Sequence, residues 1–222
     1  RRSVKLRASY GTAFRSPSFL DLYGRSAFYV GNPELEAERA RGWDAGVDYY
    51  LPENRGRWSA TWFDTRFRDL IAYDFTVFPS TVRNIEQART RGLEVSARHP
   101  IGGTDLRLAY TYLEAINSTQ QIRLVRRPRH ALSADFWREL GRGFSAGVGV
   151  GFVADRRDVH AETFATIDAE DYTVARIYAE WQASERLKLT LRLENLLDER
   201  YEEVNGYPAL GRGVFAGAAW RF

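Results

Sequence analysis

Apolar and polar residues alternate with a period of two along most of this chain. Leu187, Leu189, Leu191 and Leu193 alternate with Lys188, Thr190, Arg192 and Glu194, and Phe144, Ala146, Val148, Val150 and Phe152 alternate with Ser145, Gly147, Gly149 and Gly151. The same rhythm runs through 4–10, 106–112 and 175–181. A period of two places one apolar and one polar face on a β-strand. The pattern predicts ten strands, at about 3–13, 40–52, 57–72, 82–99, 104–116, 129–140, 143–156, 170–183, 186–198 and 211–222. These are longer than the usual strand of about five or six residues, and about 9–11 tilted residues cross a bilayer.

The connections carry a second pattern. Pro52-Glu53-Asn54-Arg55-Gly56, Pro100-Ile101-Gly102-Gly103, Gly141-Arg142-Gly143 and Ser184-Glu185 read as tight turns. The connections between them, 14–39, 73–81, 117–128, 157–169 and 199–210, are long. Short and long alternate throughout. A β-sandwich has no reason to place every long loop at one end, whereas a transmembrane barrel has short periplasmic turns and long outer loops. Trp58, Trp137, Trp181, Trp220 and Phe222 lie close to the short-turn ends, where an interfacial aromatic girdle is expected.

Composition narrows the partners. Of 222 residues 27% are charged, yet the net charge is only +3, and the two signs are interleaved, which is not the segregated basic surface of a nucleic-acid binder. Absence of cysteine removes disulfides, thiolate metal sites and thiol nucleophiles. No run approaches the roughly 18–20 apolar residues of a membrane-spanning helix. The mean hydropathy of −0.44 does not exclude a membrane barrel, whose alternating strands dilute the signal.

Three stretches resemble TonB-dependent outer-membrane receptors. Tyr10 through Ser18, containing Phe14-Arg15-Ser16-Pro17, leads into Leu20-Asp21-Leu22-Tyr23. Gly31-Asn32-Pro33-Glu34-Leu35-Glu36-Ala37-Glu38 precedes a strand bearing Trp43, Asp44 and Gly46, with Ala37 where the family usually has proline. Asn195-Leu196-Leu197-Asp198-Glu199-Arg200-Tyr201 and Tyr207 through Gly211-Arg212 precede a last strand ending on Phe222. Asp69-Leu70-Ile71 and Asn84 through Gly92-Leu93-Glu94-Val95 add to the series. The segments follow the family's order over essentially the whole chain. Each also has a physical reading. Pro17 and Pro33 donate no backbone hydrogen bond and so end strands. Asn195 and Asp198 bond nearby backbone as a strand opens into a loop, and Gly211 gives freedom for re-entry.

The resemblance implies an all-β fold, a transmembrane antiparallel up-and-down β-barrel. The ten strands here would be the last ten of a larger barrel of about 22, with the N-terminal plug domain and the TonB box lying outside residues 1–222. It further implies a receptor in the Gram-negative outer membrane that imports cobalamin or a ferric siderophore. TonB would supply energy through the absent N-terminal region. Lipid and lipopolysaccharide would surround the barrel, and the barrel-assembly machinery would read the strand ending on Phe222. No cofactor, metal or catalytic residue is implied. Candidate ligand contacts are Tyr23, Phe28, Tyr29, Tyr73, Phe75, Phe78, Arg123, Arg126 and Tyr207, with self-packing of the loops as the alternative. The ending Tyr201 … Val204-Asn205-Gly206-Tyr207 … Gly211-Arg212 is more similar to cobalamin receptors than to most siderophore receptors. Arg123 through Arg129 suits an anionic siderophore, or is a solvated loop. A passive porin or adhesin barrel is the rival class. An outer-membrane hydrolase would have to rest on His160 with Asp155, Asp158, Asp168 and Asp171, and no HExxH, GxSxG or P-loop pattern accompanies them.

Overall fold

A computed structural model describes residues 3–52, 56–74, 76–85 and 87–222. In chain order the elements are β1 (Ser3–Arg15), α1 (Phe19–Tyr23), β2 (Glu38–Tyr50), β3 (Arg57–Arg68), β4 (Leu70–Asp74), β5 (Thr81–Ile85), β6 (Ala88–Ile101), β7 (Thr104–Asn117) and β8 (Ile122–Arg123). There follow β9 (His130–Gly141), β10 (Phe144–Ala154), β11 (Arg156–Val159), β12 (Thr166–Ala169), β13 (Tyr172–Gln182), β14 (Leu187–Glu194), β15 (Glu202–Val204), β16 (Tyr207–Pro208) and β17 (Gly213–Trp220). Ten strands form one antiparallel meander in the order β1-β2-β3-β6-β7-β9-β10-β13-β14-β17, with β8 added on β7. The ten-stranded up-and-down expectation is met, and β1 and β17 lie at the two ends of the path.

The turns at one end of the sheet are tight. Gly102 and Gly103 (φ 55° and 82°) join β6 to β7, and Arg142 and Gly143 (φ 51° and 74°) join β9 to β10. Positive φ at both central positions matches the right-handed twist of the flanking strands. Ser184 Oγ accepts from the backbone N–H of Arg186 (3.3 Å) and Leu187 (3.1 Å) between β13 and β14. Leu51 N–H donates to the Gly56 carbonyl (3.0 Å) across the β2–β3 turn; its predicted residues Glu53, Asn54 and Arg55 lie outside the described residues.

The other end differs from expectation in detail. The predicted strand 57–72 breaks at Asp69 (φ 57°), and the predicted strand 143–156 breaks at Asp155 (φ 52°). A left-handed residue leaves the pleated ladder, and aspartate tolerates it because its carboxylate bonds locally. The chain beyond each break pairs separately, as the β4–β5 and β11–β12 hairpins. A third small hairpin, β15–β16, lies in the connection 195–212.

Register keeps the two faces of the sheet distinct. One row runs Leu6, Val47, Ala60, Val95, Tyr110, Leu132 and Phe152. The alternate row holds Arg7, Gly46, Thr61, Glu94 and Thr111. The apolar face is open: Leu6 is 79%, Tyr10 70% and Phe14 77% exposed. Burial falls mostly on the polar side, where Asp48 is 2% exposed. Arg57 Nη2 and Ser59 Oγ each donate to Asp48 Oδ1 at 2.8 Å, and Arg7 Nε lies 3.5 Å from it. A globular protein buries its apolar face. Ten strands exposing theirs require an apolar surround.

Trp58, Trp181 and Trp220 stand on the apolar face near the tight turns, opposite Tyr49, Phe144 and Leu187 respectively. Trp137 does not. Its register with Asp105 and Gly147 puts it on the polar face, where it stacks on Tyr178 at 5.3 Å. A Cβ at Gly147 would sit 2.6 Å from Tyr178 Cζ, so glycine is what lets Tyr178 lie down beneath Trp137. Phe222 follows β17 fully exposed, just after Arg221 N–H donates to the Arg186 carbonyl (2.9 Å).

Candidate ligand-binding loop clusters

The long connections gather into two clusters. The first joins the segment 16–37 to the β4–β5 hairpin. Ser18 and Asp21 cap α1 reciprocally: Asp21 N–H donates to Ser18 Oγ (3.1 Å) and Ser18 N–H to Asp21 Oδ2 (2.9 Å). The Ser18 hydroxyl also donates to Asp21 Oδ2 (2.7 Å), and this bond, with that from Ser18 N–H, holds the Asp21 carboxyl below its ordinary value. Ser80 N–H donates to the Phe28 carbonyl (3.0 Å) and Val30 N–H to the Ser80 carbonyl (2.9 Å), stitching the two connections together. The predicted aromatics meet on this frame. Tyr29 lies 5.8 Å from Tyr73, and Phe28 lies 6.3 Å from Phe78 in an edge-on arrangement. Tyr23 contacts Phe19 at 5.1 Å. Burial, with the Asp21 charge, pushes the Tyr29 hydroxyl up from its ordinary value. Phe28 and Phe78 are 72% and 79% exposed, an apolar pair presented to solvent. Phe75 lies outside the described residues.

The motif residues build the base of this cluster. Arg15 Nε and Nη2 donate to Glu38 at 2.6 and 2.7 Å, and Glu38 Oε1 also accepts from Ile71 N–H (2.9 Å). Asn32 Nδ2 reaches the Val82 carbonyl (3.1 Å), while Asn32 Oδ1 accepts from Glu34 N–H (3.0 Å) across Pro33. Leu35 N–H bonds the Asn32 carbonyl (3.4 Å). Pro17, just beyond β1, hands the chain to the Ser18 cap.

The second cluster joins the connections 118–129, 155–171 and 195–212 through charge. Asp155 accepts from Arg123 and, at 2.7 Å, from Arg129 Nη1; these partners hold its carboxyl below the ordinary value. Asp158 is 1% exposed. Its carboxylate accepts from Arg126 Nε, Asn205 N–H and its neighbour Val159 N–H, each at 2.7 Å. Burial alone pushes Asp158 up, but these donors outweigh it and leave the carboxyl lowered. Arg156 donates to the carbonyls of Glu202 and Glu203 beneath a Tyr172–Tyr201 stack at 4.2 Å. Arg123 and Arg126, predicted as ligand contacts, are thus engaged in holding loops together. Tyr207 stands away, 74% exposed on β16.

Asn195 (φ 49°) and Asp198 (φ 55°) shape the last loop. Asn195 Nδ2 donates to the carbonyls of Glu199 (2.8 Å) and Leu210 (3.2 Å), and Leu196 N–H bonds the Ala175 carbonyl (2.8 Å). Asp198 Oδ1 accepts from Arg212 N–H (3.0 Å), and a Cβ on Gly211 would lie 3.1 Å from the same oxygen. A cleft of about 790 Å³ opens beside this loop, lined by Asp158, Asp168, Glu170, Asp198, Glu199, Tyr201 and Glu202 among others. His160 Nδ1 accepts from Glu162 and Thr163 N–H (3.2 and 3.3 Å), an ordinary loop role. Among the described residues no group of three or more His, Asp or Glu is arranged to hold a metal. Sequence reasoning missed Asp155, Arg156 and Asp158 as organisers. It also missed Phe19, Phe164 and Leu210, which are exposed apolar residues in polar loops.

Comparisons with known proteins match this architecture. Residues 2–196 fit a family model described as TonB dependent receptor-like, beta-barrel. A vitamin B12 transporter of Vibrio vulnificus is 32% identical over 227 residues, covering 99% of this chain and 35% of the relative. Its counterpart in Vibrio cholerae is 28% identical over 225 residues, covering 98% and 34%. The chain therefore spans about a third of the length of these relatives. Among solved structures, a copper transporter, OprC, superposes with a TM-score of 0.82 at 18% identity, covering 99% of this chain and 37% of that one. The pyoverdine outer membrane receptor FpvA from Pseudomonas aeruginosa superposes with 0.79 at 17% identity, covering 99% and 34%. At such identities these likenesses establish the fold alone.

Proposed function

This chain belongs to the TonB-dependent receptor β-barrel family, and from that premise we propose that it is the barrel wall and outer-loop portion of an outer-membrane receptor for energised import of cobalamin. Its ten strands would be the last ten of the barrel, a plug and a TonB box would precede them, and TonB would act through that preceding region. The apolar face meets outer-membrane lipid and the polar face lines the lumen. The tight turns lie in the periplasm and the two loop clusters face outward.

One observation carries the choice of nutrient: the similarity to vitamin B12 transporters extends over nearly the whole chain at 32% identity. The loop chemistry supports it. Six carboxylate residues and Arg200 line the cleft beside the last loop, a net negative charge that repels an anionic ferric siderophore, and Arg123, Arg126 and Arg129 of the basic run are already paired. Exposed aromatics in the first cluster suit the large, partly apolar face of a corrinoid. In this reading the protein is a transporter and not an enzyme.

The test is a deletion of the full-length gene. Uptake of labelled cyanocobalamin and growth under cobalamin limitation should fail, and iron-limited growth should be unchanged. Loss of growth on a ferric siderophore alone would replace cobalamin with that ligand. Diffusive, energy-independent uptake would replace the receptor with a porin.

A further inference from the structure

The sequence holds a single Asn-Gly pair, Asn205-Gly206, and the fold places it at the turn between β15 and β16. Gly206 is exposed and has φ 86°, a conformation that glycine adopts without strain. Having no Cβ, glycine leaves its own backbone nitrogen open to the side chain before it. That nitrogen can attack the asparagine Cγ, because the short stretch of chain between them holds the two at high effective concentration.

Polar contacts converge on the atoms that would react. Gly206 N–H donates to Glu202 Oε2 at 2.9 Å, and Asn205 Nδ2 donates to the same oxygen at 3.2 Å. One carboxylate oxygen therefore touches both the nucleophile and the leaving group. Asn205 Oδ1 accepts from Ala161 N–H at 3.0 Å, so a donor from the β11–β12 connection polarises the carbonyl under attack. Asn205 N–H is fixed on Asp158 Oδ2 at 2.7 Å. Asn117-Ser118 supplies the contrast. Ser118 N–H donates to the Gln87 carbonyl (2.7 Å), which takes up no proton, and Asn117 Oδ1 accepts from Thr119 and Gln120 N–H at 3.0 Å each.

We propose that Asn205-Gly206 is a self-modification site at which the protein deamidates its own Asn205, with Glu202 as general base. Gly206 N bonds to Asn205 Cγ as Glu202 takes the N–H proton, and the oxyanion formed on Oδ1 rests on Ala161 N–H. Glu202 returns the proton to Nδ2, the Cγ–Nδ2 bond breaks, and ammonia leaves behind a five-membered succinimide. Water reaching exposed Gly206 opens the ring at either carbonyl, to aspartate or isoaspartate. In sum one water enters and one ammonia departs. Isoaspartate adds a main-chain carbon between two N–H groups, one anchored on Asp158 and the other on Glu202, and sets a new carboxylate beside Glu202. The two anchors are no longer compatible, so the β15–β16 hairpin is released from β11–β12 and the second loop cluster loosens irreversibly.

The test ages the full-length receptor in mild detergent at neutral pH and follows the tryptic peptide from Tyr201 to Arg212 by mass spectrometry. Asn205 is the only amide side chain in that peptide, and electron-transfer fragmentation distinguishes isoaspartate from aspartate. A synthetic peptide of the same sequence is the unstructured reference. Asn205 in the folded receptor should convert about tenfold faster than in the free peptide, with Asn117 intact over the same period. Glu202→Gln keeps an acceptor oxygen for both donors but is no base. It should bring the folded rate down to that of the free peptide, whereas the same change within the free peptide should alter nothing. Converted receptor should be nicked by protease within 155–171 sooner than unconverted receptor. Conversion in the folded receptor no faster than in the free peptide would overturn the proposal, because the contacts would then clamp the amide and not activate it. Equal folded rates for wild type and Glu202→Gln would overturn it as well, since the carboxylate would be a loop tie alone.

Discussion

The two loop clusters achieve order by opposite means. The first, from 16–37 and β4–β5, is tied by backbone hydrogen bonds and by the Asn32 and Glu38 side chains, which bond backbone groups of the hairpin, and it leaves Phe28 and Phe78 outward. The second, from 118–129, 155–171 and 195–212, is tied by the carboxylates of half-exposed Asp155 and buried Asp158, which engage Arg123, Arg126 and Arg129. A residue type that looks like a ligand contact in a sequence is available only if nothing nearer claims it. Aromatics on a backbone-braced frame stay available. Arg123 and Arg126, each 32 residues from its carboxylate, are already paired.

The largest effect expected concerns Asp158. Asp158→Ala leaves Arg126 and two backbone donors without their acceptor. Arg126 is half exposed and can be hydrated, so the cost lies mainly with the two backbone donors left without an acceptor, about 3 kcal/mol together, and it falls on docking of the β11–β12 hairpin. Hydrogen exchange of the Asn205 and Val159 amides should accelerate by about a hundredfold, with the first cluster's amides unchanged. Equal acceleration in both clusters would mean that they are one cooperative unit, and the contrast would fail.

The same contrast has a pH signature. Asp155 and Asp158 are both depressed in the folded protein. Their contribution is therefore fully present above the ordinary carboxylate value of 3.8 and is lost as pH falls through their lower folded values. Proteolytic nicking within 155–171 should be constant from pH 8 to 5 and rise only below about 4. Nicking that rises between pH 6 and 5 would show that these carboxylates do not hold the cluster.

Phe28→Ala and Phe78→Ala probe the first cluster. An exposed edge-on pair contributes little to folding, about 0.5–1 kcal/mol. Cyanocobalamin affinity of the full-length receptor should fall by about tenfold, because a ligand burying those rings gains more than they gain from each other. Unchanged affinity with lowered thermal stability would make the pair loop packing.

Much of this was legible in advance, for a physical reason. Strand identity depends on local alternation, so ten strands and four tight turns could be read directly. The breaks at Asp69 and Asp155 could not, since a left-handed aspartate leaves no periodic trace. Trp137 departs from the expected girdle because strand parity outranks closeness to a turn: Phe136 is apolar and opposite Val148, so Trp137 lies on the polar face. Pairing of Arg123 with Asp155 and of Arg126 with Asp158 is non-local and required the fold.

The smallest effect sharpens the comparison most at its ambiguous point. Arg127 lies in the same arginine-rich run, is exposed, and donates to the neighbouring Arg126 carbonyl at 3.0 Å. If the run is structural, Arg127→Ala touches nothing that holds the cluster, and the stability change stays within about 0.5 kcal/mol. Ligand affinity should change by less than about threefold, with little salt dependence. If the run attracts an anionic ligand, Arg127 is its freest charge, and its loss should weaken binding most at low ionic strength. Measuring affinity of the full-length receptor for cyanocobalamin and for a ferric siderophore at two salt concentrations separates these cases. A salt-dependent loss confined to the siderophore would return the second cluster to the ligand-binding surface that its paired arginines argue against.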